Sequence, residues 1–210
     1  LYLAIDSDIG DLAALEFIVG ALVSKGEVTS SAISALWDIF CFNNNGTNAE
    51  QSRGALSVLC MAATSSPGIL GSHLHYIIDI GFGRWAKVDP LLARTACIAL
   101  QRLSKDEKNR LLATMGDRVF DILKNIVSGL WLPDDIWYAA VDKAIPAIYA
   151  LHSSPETLAA TLVKKTLTNV FSNGEGTVSD LTTIDLETVS VTRLNRFLYV
   201  VSHVAMNHLV

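Results

Sequence analysis

One spacing constrains this chain more than any other feature. Arg53-Gly-Ala-Leu opens a run of small and apolar residues, and 41 positions later Arg94 opens a second run of the same kind. Pro67-Gly68 follows the first run, and Asp89-Pro90 introduces the second, ending at Leu103. A period of ~40–47 residues holding two helices is the period of HEAT and armadillo repeats. Each such unit is half a core and buries its apolar face only against its neighbours. The spacing therefore predicts an all-α, right-handed α-α superhelical solenoid of HEAT/armadillo type, and by itself names no activity.

Composition agrees with stacked helices. Half of the 210 residues are apolar and only 18% are charged, with a mean hydropathy of +0.37. We read the chain as an internal piece of a longer protein, with apolar faces covered by further repeats on both sides. Gly54 to Ile78 carries no charged residue, yet Ser65-Ser66-Pro67-Gly68 breaks its middle. A membrane span of ~20 apolar residues does not tolerate that interruption, so two buried helices joined by a turn are expected, and no membrane contact. Cys41, Cys60 and Cys97 show no paired spacing and read as free core thiols in a reducing compartment. The net charge of −5 lacks the basic excess of a dedicated nucleic-acid domain.

The helix signals run in order. Residues 8–23 carry a wide apolar stripe, with Asp8 or Asp11 as cap and Gly26 as stop. A second helix over 28–42 ends at Asn43-Asn44-Asn45-Gly46. Thr47 or Asn48 caps a third to Ala63, and Pro67 opens a fourth, as a first-turn proline, to Gly81. Asp89-Pro90 starts a fifth, and Asp106 a sixth to Ser128, broken near Gly116. Asp134 or Asp135 caps a seventh, kinked at Pro146, and Pro155 opens an eighth to Phe171. Paired, these predict repeats over 8–42, 47–81, 89–129 and 134–172. A polar, glycine-rich insert follows over 172–183, then a partial repeat over 186–210.

Catalytic patterns fail on geometry. His73 and His75, two apart on a helix, point away from each other. His203 and His208 miss the four-residue spacing of helical zinc pairs. Gly81-Phe-Gly83-Arg84 lacks the third glycine and the preceding strand of a phosphate-binding loop, and Asp134-Asp135 fits a helix start. No catalytic residue, metal or cofactor is expected. The remaining candidates are small basic groups that could meet DNA or a partner: Arg84 and Lys87 beside Trp85, Lys164 with Lys165, and Arg193 with Arg196. A solenoid could gather such groups into one stripe facing phosphates.

Arg53-Gly-Ala-Leu with Leu59-Cys-Met-Ala, Ile77-Ile-Asp-Ile-Gly81, Leu92-Ala-Arg-Thr-Ala-Cys-Ile-Ala-Leu100 and Arg196-Phe-Leu-Tyr-Val-Val-Ser-His-Val-Ala together resemble the D-type non-SMC HEAT subunits of condensin, in that order along the chain. The resemblance implies a non-catalytic scaffold that binds the condensin kleisin and works beside the SMC ATPase subunits. It also implies a role with DNA and chromatin in mitotic chromosome condensation, in the nucleus and on chromosomes, and in the cytoplasm for part of the cell cycle. Another HEAT or armadillo scaffold (cohesin-associated, transport or adaptor) is the second reading, and an all-α enzyme domain the third.

Overall fold

The computed structural model describes residues 2–6, 9–129, 131–171 and 190–209. Asp8, the insert expected at 172–183 and the helix start expected at 186–189 lie outside the described residues. Those described form ten α-helices and two short 3-10 turns, with no strand among them. The helices are α1 (Tyr2–Asp6), α2 (Ile9–Ser24), α3 (Ser30–Phe40), α4 (Ala49–Ala63), α5 (Leu74–Gly81), α6 (Leu91–Gln101), α7 (Lys105–Ser128), α8 (Asp134–Leu151), α9 (Pro155–Phe171) and α10 (Val191–His208). They divide into two compact units, Leu1–Val119 and Phe120–Val210.

In the first unit α4 is the central element, packed against α1, α2, α3 and α6. Its sequence explains why: Gly54, Ala55, Ala62 and Ala63 are small enough for neighbouring helices to come close, and all four are buried. Leu56, Leu59, Leu92 and Leu100 are wholly inaccessible to solvent, each contributing ~1.5–3 kcal/mol by burial. The start of α4 is fixed by a capping box in which Asn48 accepts from the Gln51 amide and Gln51 accepts from the Asn48 amide. Ser52 Oγ donates to the Phe40 carbonyl at 2.9 Å, satisfying one of the orphan acceptors at the end of α3. A Cβ on Gly81 would stand 2.6 Å from Ala96 Cβ, so glycine is what lets α5 approach α6.

Two helix signals, at Pro67 and at Asp134-Asp135, resolve differently from expectation, while the break expected near Gly116 is present. Pro67 does not open a helix: Gly68 takes a left-handed φ of +105°, and the chain turns before the 3-10 segment Gly71–His73 and α5. The break in α7 falls at Met115 (φ −140°, ψ 16°), one residue before Gly116. Beside it, Thr114 Oγ1 donates back to the Arg110 and Leu111 carbonyls at 2.9 and 3.3 Å, a bonding pattern that bends helices. Neither Asp134 nor Asp135 caps α8. Pro133 holds the cap position without a side-chain bond, and the Asp134 carboxylate is engaged elsewhere. Thr29 caps α3 through its side chain, a position that carried no expectation.

In the second unit α8, α9 and α10 pack on one another. The core comprises Trp137, Val141, Ala144, Ile145 and Ile148 from α8, with Ala159 and Leu162 from α9 and Val200 from α10. α8 runs on through Pro146, whose ring denies the Asp142 carbonyl its helical donor.

Candidate partner-contact surfaces

The expected basic residues fall into distinct environments. In the first unit Arg84 and Lys87 flank the 3-10 turn Arg84–Lys87, and both are exposed. Trp85 between them lies flat on Phe42, with ring centroids 4.2 Å apart and planes at 14°. The Arg84 guanidinium carbon stands 4.9 Å from the Trp85 ring. Phe42 follows the end of α3 with φ +60°, the only non-glycine residue of positive φ among those described. A left-handed conformation costs a residue with a Cβ ~1–2 kcal/mol; the stack on Trp85 offsets part of it. Next to this turn, Asn48, Ala49, Glu50, Val88, Asp89 and Pro90 line an open groove of about 280 Å³.

In the second unit Lys164 and Lys165 are exposed on α9. Arg193 is half-buried and donates to the Asn169 carbonyl at 3.2 Å. Arg196 is 8% exposed and is occupied inside the protein. Its Nε and Nη2 both donate to Asp134 Oδ1, and Nη2 also donates to the Leu132 carbonyl at 3.0 Å. Its Nη1 donates to the Gly129 carbonyl at 3.3 Å. The guanidinium also lies over the Trp137 ring, 4.8 Å from its centroid. A guanidinium so employed has no free donor edge for a phosphate, so Arg196 is a packing residue of its unit.

A parallel device holds the first unit. Arg53 Nε donates to Asp89 Oδ2 at 2.6 Å, while Asp89 Oδ1 accepts from the Leu91 amide at 3.1 Å. One carboxylate thus fixes the start of α6 and ties it to α4. Arg102 joins the Cys60 carbonyl and Glu16, both at 2.6 Å. These long-range pairings have no signature in local sequence.

The histidines pack against aromatic rings. His73 stacks on Trp37 at 4.2 Å, and burial, with His75 adding to it, lowers its pKa below the ordinary value despite Asp38. His203 lies against Tyr199 and His208 against Tyr149. Among the described residues no three His, Cys, Asp or Glu are grouped to hold a metal ion, and no helix is long and apolar enough to cross a membrane. Burial pushes the Cys60 thiol up to about 12 and raises that of Cys97 as well, and Cys41 is pushed up to about 11.

No protein-family model matches the chain. It is 62% identical over 215 residues to the condensin-1 complex subunit CAP-D2 of Arabidopsis thaliana, a match covering all of this chain and 15% of that protein. Condensin complex subunit 1 of Schizosaccharomyces pombe is 27% identical over 227 residues, covering 99% of this chain and 19% of the relative. The Saccharomyces cerevisiae protein of the same name is 26% identical over 228 residues, with the same coverage of each. The chain thus spans less than a fifth of the length of each of these curated relatives. With an all-helical fold and this identity along its whole length, the chain belongs to the condensin subunit 1 family of HEAT-repeat proteins.

Proposed function

We propose that the chain forms part of a non-catalytic scaffold subunit of condensin that acts in mitotic chromosome condensation. In this reading the parent protein binds the condensin kleisin, works beside the SMC ATPase subunits and contacts DNA or chromatin. It resides in the nucleus and on chromosomes, and in the cytoplasm for part of the cell cycle. The observation that carries the reading is the 62% identity, over the entire chain, to a protein named as a condensin-1 subunit. The helix pairs are read as repeats over 8–42, 47–81, 89–129 and 134–172, with 186–210 beginning another.

The exposed cations Arg84, Lys87, Lys164 and Lys165 are the residues offered to partners, with half-buried Arg193 at the margin. Each phosphate contact adds to the salt dependence of DNA affinity. The test is co-purification of the full-length protein with a kleisin fragment, followed by DNA gel shift at two salt concentrations. Kleisin retention and salt-weakened DNA binding support the reading. Failure to retain kleisin under any condition sinks it, and DNA retention indifferent to salt removes the phosphate contacts.

A further inference from the structure

We propose that the turn at 84–90, backed by the Phe42–Trp85 stack, is a docking surface for a peptide segment of a partner protein. That segment would carry acidic residues beside one apolar side chain. The inference rests on the reading of this chain as a scaffold that binds other proteins, and deepens it by naming the chemistry of one contact.

Phe42 underlies the turn through its stack on Trp85. Its left-handed φ of +60° suits Gly or Asn, and three asparagines follow it directly at 43–45. Strained backbone persists where its surroundings over-determine it, and such residues cluster at ligand clamps and switches. What the strained position provides is a ring laid on Trp85, and so a fixed platform beneath the turn Arg84–Lys87. That platform presents Arg84 and Lys87 to solvent, and among the described residues neither is paired with a carboxylate. A guanidinium held over Trp85 and a neighbouring exposed ammonium, neither of them neutralised, call for an acidic partner.

The adjoining groove decides the class of partner. Val88 is 69% exposed and sits with Ala49 and Pro90 in its lining, offering apolar contact to a side chain. Asp89 is neutralised by Arg53, but exposed Glu50 also lines the groove and disfavours an unbroken run of phosphates through it. A peptide, by contrast, can confine its acidic residues to Arg84 and Lys87 and set an apolar one in the groove. Trp85 and Arg84, beside the groove, are residue types enriched in protein-interface hot spots.

The experiment places a photo-reactive benzophenone amino acid at Val88 in the full-length protein in cells, irradiates, and maps the cross-linked product by mass spectrometry. The expected product is a protein segment containing acidic residues next to an apolar one. Charge reversal by Arg84→Glu with Lys87→Glu should lower its yield about tenfold, as loss of a hot-spot contact does. Phe42→Asn, which relieves the strained backbone but removes the stack, should lower the yield without lowering the melting temperature of the purified protein. No cross-link, a cross-link to nucleic acid, a product lacking acidic residues, or full yield from the charge-reversed variant overturns the inference. Because the readout is the chemistry of the cross-linked segment, kleisin retention can fail or succeed independently of it.

Discussion

Arg196 offers the sharpest quantitative test of the packing. Replacing it by Ala removes charged donors from the Leu132 and Gly129 carbonyls, bonds worth ~1.5–3 kcal/mol each net of desolvation. The Asp134 side chain is 50% exposed, so on losing its partner it recovers water, and the ion pair itself adds no more than ~1 kcal/mol. The Gly129 bond is long at 3.3 Å and bonds sharing one guanidinium do not add fully, leaving a net destabilisation of ~2–4 kcal/mol. Arg196→Met, which keeps the stem packed near Trp137, should recover ~1 kcal/mol of that. Urea unfolding followed by tryptophan fluorescence, in a background that keeps Trp137 and replaces Trp37, Trp85 and Trp131 by Phe, reads this, and Asp134→Asn should cost only ~1 kcal/mol in the same assay. An Arg196→Ala variant within ~0.5 kcal/mol of the parent would refute the packing role. Such a result would return Arg196 to the set of partner contacts.

Three further expectations follow from local geometry. Gly81→Ala should destabilise by ~1–3 kcal/mol, because its Cβ would stand 2.6 Å from Ala96 Cβ in a packed interface. Gly116→Ala, whose Cβ would meet Leu112 only at 3.8 Å, should not show this cost; matched denaturation curves decide. The raised thiol pKa and burial of Cys60 and Cys97 predict negligible alkylation by iodoacetamide at pH 8 in the folded protein. The half-exposed Cys41 should react first and all three after unfolding, as mass spectrometry can count. His73 has a lowered folded pKa, so below pH 6.5 the unfolded state binds its proton first. Stability should therefore fall as pH drops below about 6.5, and His73→Gln should flatten that part of the pH–stability curve. An unchanged slope would show that His73 is not its source.

Helix existence was legible because it depends on local rules. The Asn48 cap, the stop before Asn43–Gly46 and Pro155 at the first position of α9 are read from neighbours within a few residues. Pro67 misled because a first-turn proline and a turn proline look alike until Gly68 is seen in the left-handed region. Asp134 misled for a related reason: an acid before an apolar run reads as a cap, but here it takes the guanidinium of Arg196, 62 positions away.

The candidate surfaces were half legible. Arg84 and Lys87 beside Trp85 stand together in sequence, and they stand together in space. Phe42 carried no signal, since its partner lies 43 positions on and its strain appears only in φ. Arg196 looked equivalent to Arg193 as one of two cations on one helix. Helical rotation turns the first into the core and leaves the second at the margin.

By itself, the sequence determined an all-helical chain of HEAT type, the Asn48 cap and its family, because these rest on periodicity, local hydrogen bonding and residue-by-residue likeness. Only the tertiary structure decided which charges are free and which are spent. A cation's role depends on what lies within ~3 Å of its nitrogens, and those groups come from elements that the chain order holds far apart.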